Sequence, residues 1–206
     1  MKEKFDFLLQ EMPIVAILRG ITAGDIIPVC DALYEAGIKL LEIPLNTPDA
    51  FSRIREAAHH CGTRQMVGAG TVLTGEDVRN VKASGGTFII SPNTEEEVIR
   101  ETKNLSLVSI PGFFTATEGF RAIRAGADYL KLFPACLGPS YIKDLKAVIK
   151  TPIMAVGGVT VDNFASFLGV ACGAGIGGAL YKPSKDIAET LATAKELAGI
   201  VKNFRN

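Results

Sequence analysis

The chain has 206 residues, 22 Lys+Arg against 22 Asp+Glu, zero formal charge at pH 7, and 48% hydrophobic residues. That apolar share argues against disorder, and the length supplies one large domain or two small ones with a sizeable core. Charge balance offers nucleic acid no basic face, and no stretch reaches the ~18 uninterrupted apolar residues that a membrane span needs.

Residues 1–12, MKEKFDFLLQEM, lack the long apolar stretch and small-residue cleavage site of a secretory signal. Within them, residues 2–10 place Phe5, Leu8 and Leu9 on one helical face, which predicts a short helix capping the bottom of the fold. A unit then recurs: a short apolar run, a polar or glycine-containing turn, and a longer amphipathic stretch. The apolar runs are residues 14–19, 39–44, 65–71, 87–91, 107–111, 127–133, 153–156 and 174–177. They begin roughly 20–27 residues apart, the length of one βα unit. Helices are predicted between and after them at 23–36, 48–60, 75–84, 95–103, 116–125, 140–149, 161–168 and 186–203.

Boundary residues support this division. Thr22, Thr47 before Pro48, Thr74, Thr94 with Glu97, and Thr160 before Asp162 are expected N-caps. Gly37, Gly85, Gly126 and Gly173 are expected to close helices. The strand runs are almost continuously apolar, as parallel strands covered on both faces should be. With no linker or low-complexity tract, residues 1–206 read as one domain. Eight units predict a closed (β/α)8 TIM barrel of the α/β class with a short N-terminal capping helix; an open doubly wound sheet is the competitor.

Cys30, Cys61, Cys136 and Cys172 lie far apart, with no CxxC pair and no His at ligand spacing. They fit reduced, mostly buried thiols of a cytoplasmic protein better than disulfides or a metal site. His59 and His60 read as a solvated pair at a helix C-terminus.

Barrel enzymes carry their reacting groups at the C-terminal ends of strands. Polar residues there are Arg19, Glu42, Asn46, Thr71, Ser91, Asn93 (beside Pro92), Thr115 and Lys131. Lys131 sits in an otherwise apolar strand, where alternation puts Tyr129, Lys131 and Phe133 on one face. A lysine with a pKa near 10.4 is about one part in 2500 amine at pH 7, and burial lowers that pKa. A dry Lys131 is therefore a candidate nucleophile. The competing reading is a lysine that reaches solvent or pairs with Glu42. Glu42, also in an apolar strand, should have a raised pKa suited to carrying protons, unless it is an ion-pair partner of Arg19 or Lys131. Val156-Gly157-Gly158-Val159 and Gly175-Ile176-Gly177-Gly178 follow the last two strands, where such barrels cradle phosphate with backbone N–H groups.

These stretches resemble the 2-keto-3-deoxy-6-phosphogluconate aldolase family. The resemblance is carried by Ala16-Ile17-Leu18-Arg19-Gly20, Leu41-Glu42-Ile43-Pro44-Leu45-Asn46-Thr47, Gly68-Ala69-Gly70-Thr71-Val72-Leu73 and Ile90-Ser91-Pro92-Asn93. It continues through Ile110-Pro111-Gly112, Lys131-Leu132-Phe133-Pro134-Ala135 and Val156-Gly157-Gly158-Val159. It implies a homotrimeric barrel and a class I aldolase needing no metal or cofactor. The substrate would be a 2-keto-3-deoxy-6-phospho sugar acid of gluconate or galactonate configuration, and the products pyruvate and glyceraldehyde 3-phosphate.

In that resemblance Lys131 matches the Schiff-base lysine and Glu42 the proton-shuttling carboxylate. Arg19 and Thr71 match positions that hold the pyruvate end. Val156, Gly157, Gly158, Gly177 and Gly178 match the phosphate site, and Pro92 and Phe133 are expected to wall the imine. Asn46 stands where the gluconate branch tends to carry arginine and the galactonate branch asparagine. The serine often present near Gly178 is absent, which leaves the phosphate to backbone donors. Alternatives are an aldolase for 4-hydroxy-2-oxoglutarate or another short keto acid, a sugar-phosphate isomerase or epimerase, and a non-catalytic barrel that binds phosphosugars.

Overall fold

A computed structural model describes residues 1–205. The chain opens with α1 (Lys2–Glu11) and then alternates strand and helix: β1 (Ile14–Ile17), α2 (Ile26–Glu35), β2 (Leu40–Pro44), α3 (Ala50–Cys61), β3 (Met66–Gly70) and α4 (Gly75–Ala83). It continues with β4 (Phe88–Ile90), α5 (Glu96–Asn104), β5 (Val108–Ile110), β6 (Gly112–Phe113), α6 (Ala116–Ala125) and β7 (Leu130–Leu132). Last come α7 (Gly138–Lys146), β8 (Ile153–Val156), α8 (Val161–Leu168), β9 (Gly173–Ile176) and α9 (Ile187–Arg205).

All strand pairs are parallel, in the order β5-β4-β3-β2-β1-β9-β8-β7-β6. The two ends of that order, β5 and β6, are one stave interrupted at Pro111. Proline has no N–H for the ladder, so the strand breaks there. Its carbonyl still accepts from the Lys131 N–H at 2.8 Å, which carries the ring across the gap. The nine strand segments thus make the eight staves of a closed (β/α)8 barrel.

Every strand residue is buried, the consequence of packing both faces. Alternation sorts the residues into two shells. Val15, Ile17, Leu40, Met66, Phe88, Ile90, Val108, Ile110, Tyr129, Met154 and Val156 point into the lumen. Ile14, Ala16, Leu41, Ile43, Leu130 and Leu132 pack outward against the helices. The predicted capping helix is present. α1 inserts Phe5, fully buried, between Phe88 (ring centroids 5.3 Å apart) and Tyr129 (5.2 Å). Burying a phenyl ring of this kind contributes about 2–3 kcal/mol.

Thr74 caps as predicted in a reciprocal capping box with Asp77, and Thr160 is the N-cap of α8, its N–H donating to Asn163 Oδ1 at 2.9 Å. Three expected caps do other work. Thr22 bonds Asp25, which precedes α2. Thr47 accepts from the Gly20 N–H at 2.9 Å, and Thr94 donates to the Gly112 carbonyl at 2.7 Å. The last two tie neighbouring loops at the barrel mouth, a non-local use that spacing alone does not reveal. Gly173, expected to close a helix, instead begins β9. Cys30 and Cys61 are buried, but Cys136 is exposed. His59 and His60 lie in the last turn of α3, and His60 meets Asp31 at 2.8 Å.

Candidate active site

A cavity of about 610 Å³ opens at the C-terminal ends of the strands. Arg19, Glu42, Thr71, Pro92, Lys131, Phe133, Val156, Gly157, Gly158, Gly177 and Gly178 all line it. They come from loops and strands scattered over 160 positions, and ring closure alone brings them together.

Lys131 is the central residue of β7 and only 6% exposed. Its neighbours Leu130 and Leu132 face the helices, so the ammonium has the lumen as its sole direction. Its Nζ stands 4.5 Å from the centroid of the Phe133 ring. Burial pulls the pKa of Lys131 down; the Glu42 charge opposes this and the Arg19 charge adds to it.

Glu42, in β2, is 2% exposed, and its Oε2 has no hydrogen-bond partner among the described residues. Burial pushes its pKa up to about 7, against the opposing pull of Lys131 and Arg19. At neutral pH the group can therefore both give and take a proton. Neither ion pair considered from the sequence, Glu42 with Lys131 or with Arg19, is formed among the described residues. The amine and carboxylate share one dry space without closing on each other.

Glycine makes that space. A Cβ on Gly70 of β3, paired in register with Pro44 of the Glu42 strand, would collide with the Glu42 carboxylate. A Cβ on Gly68 would run into the Phe88 ring. Next to Gly70, Thr71 has φ +56, a left-handed conformation that costs a β-branched residue about 1–3 kcal/mol and that aims it at the cavity.

Arg19 donates to Asn46 Oδ1 at 2.5 Å, so Asn46 orients the guanidinium without lining the cavity itself. Thr115, a candidate from the sequence, is instead the N-cap of α6 in a box with Glu118. Ser91 and Asn93 flank the lining residue Pro92 but are not part of the wall.

Gly157 and Gly158, at φ +89 and +82, turn the chain sharply between β8 and α8. A Cβ added at Gly158 would meet nothing, so that backbone is open to the cavity. Successive glycine N–H groups at a helix start form an anion-binding concavity. Tyr181 and Lys182 also line the cavity, and sequence reasoning missed both. The only signal for them was their place in the segment after the last strand. Among the described residues no group of three or more His, Cys, Asp or Glu is arranged to hold a metal ion.

A family model described as KDPG and KHG aldolase matches residues 5–195. A 2-dehydro-3-deoxy-6-phosphogalactonate aldolase of Escherichia coli (strain K12) is 41% identical over 199 residues, covering 95% of this chain and 96% of the relative. A 2-dehydro-3-deoxy-phosphogluconate aldolase of Pseudomonas aeruginosa is 30% identical over 183 residues, covering 87% and 83%. Among solved structures, one described as native KDPGal superposes with a TM-score of 0.91 at 38% identity, over 94% of this chain and 96% of that one.

Proposed function

The chain belongs to the KDPG and KHG aldolase family, and on that premise we propose how it cleaves a 2-keto-3-deoxy-6-phospho sugar acid to pyruvate and glyceraldehyde 3-phosphate. Lys131 is the nucleophile. Its neutral amine attacks the C2 carbonyl, and Glu42 gives a proton to the departing hydroxyl as the carbinolamine loses water. The protonated imine then withdraws electrons. Glu42, now a carboxylate, takes the proton of the C4 hydroxyl while the C3–C4 bond breaks, and its electron pair forms an enamine. Glyceraldehyde 3-phosphate departs. The enamine takes a proton at C3, and water hydrolyses the imine to release pyruvate and free Lys131.

Arg19 and Thr71 hold the pyruvate carboxylate, Pro92 and Phe133 keep water from the imine, and Val156 and the glycines Gly157, Gly158, Gly177 and Gly178 receive the phosphate. The observation that carries this reading is a buried amine and a buried, unpaired carboxylate in one cavity. Borohydride added with pyruvate fixes a carboxyethyl group on Lys131, located by peptide mass spectrometry. Lys131→Arg gives no adduct and lowers kcat by about 10⁴-fold or more. An adduct elsewhere, or none in the parent protein, removes the mechanism.

The galactonate epimer is the preferred substrate. In support, the more similar of the two relatives carries the galactonate name, and Asn46, which orients Arg19, matches the residue of that branch. Product formation from the two epimers side by side decides it. A second reading, cleavage of 4-hydroxy-2-oxoglutarate, draws on the missing hydroxyl side chain at Gly178; equal turnover with and without the phosphate would favour it. We place the protein in the cytoplasm as a homotrimer, the assembly the family resemblance implies, which light scattering measures directly.

A further inference from the structure

A substrate with a carboxylate at one end and a phosphate at the other asks for cationic help at both. Three cations line the cavity: Arg19, Lys131 and Lys182. Arg19 is held by Asn46, and Lys131 lies deep in β7 with its Nζ against the Phe133 ring. Lys182 stands in the segment between β9 and α9, beside the glycine cradle. Its Cε lies 3.5 Å from where a Cβ on Gly178 would stand, so its stem lies along Gly178, near which the serine often present in the family is missing.

The Lys182 carbonyl accepts from the Lys185 N–H at 2.9 Å, but among the described residues its ammonium forms no hydrogen bond or ion pair. Its neighbour Lys185 is fully committed: Nζ donates to the carbonyls of Ala179 (3.2 Å) and Leu180 (3.1 Å) and to Thr193 Oγ1 (2.7 Å). That clasp fastens the segment to α9. Asp186, four residues along the chain from Lys182, accepts from the Ala188 N–H at 3.2 Å, and Asp25 accepts from Thr22 at 2.8 Å. Among the described residues the free cation lining this end of the cavity is Lys182.

Building on the aldolase reading above, we infer that Lys182 is the charged ligand of the substrate phosphate and the residue that makes this site prefer phosphorylated keto acids. Backbone N–H groups orient the phosphate oxygens, and the ammonium supplies the charge that a serine hydroxyl would not. A charge-assisted bond to a phosphate that stays partly solvated is worth about tenfold in binding.

The test is the ratio of kcat/KM for the 6-phosphorylated substrate to kcat/KM for 4-hydroxy-2-oxoglutarate, measured in the parent protein, in Lys182→Met and in Lys182→Arg. Lys182→Met should lower the ratio about tenfold, through KM for the phosphorylated substrate. Lys182→Arg should keep it, and salt near 1 M should pull the parent ratio toward that of Lys182→Met, because a partly exposed charge is screened. A parent ratio well above one that survives Lys182→Met overturns the assignment and leaves the aldolase reading intact. A parent ratio near one overturns the phosphate preference itself, and Lys182 with it.

Discussion

The two ends of the barrel treat charge in opposite ways, and a few residues of one chain segment display both. At the bottom, Asp128 takes Lys103 Nζ on both carboxylate oxygens, at 2.8 and 2.6 Å, together with the Ser109 N–H at 2.9 Å. Tyr129 donates to Asp6 on α1, which also holds Lys2 at 2.6 Å. Both carboxylates have partners, and α1 covers the end. Two residues further on, Lys131 points into the same lumen with no counter-ion in contact, across from a Glu42 in the same condition. A buried charge without a partner is destabilising, so the mouth of the barrel is held in a state that stability alone would not select.

The largest effect on this contrast should come from Glu42→Gln. It removes the carboxyl group proposed to carry protons but not the amine, and kcat should fall about 10³-fold. The parent rate should change through pH 7 as Glu42 titrates, and Glu42→Gln should lose that inflection. Stability adds a second readout. A carboxyl pKa raised from 4.5 to about 7 means the folded state holds the proton more tightly than the unfolded one. The contribution is present in full below pH 4.5 and is lost as pH rises through about 7, by about 3 kcal/mol in all. Urea titrations should therefore show Glu42→Gln gaining on the parent between pH 5 and pH 8. A gain that shrinks as pH rises would mean Glu42 is paired after all.

Gly70→Ala should follow, with about a 10²-fold loss in kcat. The new methyl displaces the Glu42 carboxylate, the flexible end of a side chain, while the backbone can stay where it is. Thermal melting should show a much smaller change than activity does, and the reverse pattern would assign Gly70 to packing alone. The smallest effect on catalysis belongs to the bottom. Asp128→Asn removes the charge that holds Lys103, at a cost of about 1–2 kcal/mol in a urea titration with kcat unchanged. A loss of kcat there would mean that the two ends are coupled and the contrast is false.

The barrel was legible because its signals are local. Apolar runs and cap residues mark each βα unit, and eight units leave few ways to close. The Pro111 break was less visible, since residues 107–111 read as one uninterrupted strand and only the ladder shows where the missing N–H falls. At the site, Glu42 and Lys131 stood out as charges in apolar strands, and the paired glycines stood out by position. Asn46 and Thr115 illustrate the limit. Each follows a strand, yet one acts through Arg19 and the other caps a helix. Tyr181 and Lys182 carry no local mark, because their relevance comes from the chain folding back over Gly178.

The seal that Phe5 makes with Phe88 and Tyr129 leaves the lumen with a single doorway. On the proposed mechanism the imine forms at its inner end, and the aldehyde fragment lies between that imine and the rim, where Gly158 and Gly178 are exposed. Traffic is then a queue. Cleavage must discharge the phosphorylated aldehyde before pyruvate, and the reverse condensation must load pyruvate first. Whichever fragment is added in excess, only the deeper one can hold the enzyme as a covalent dead end.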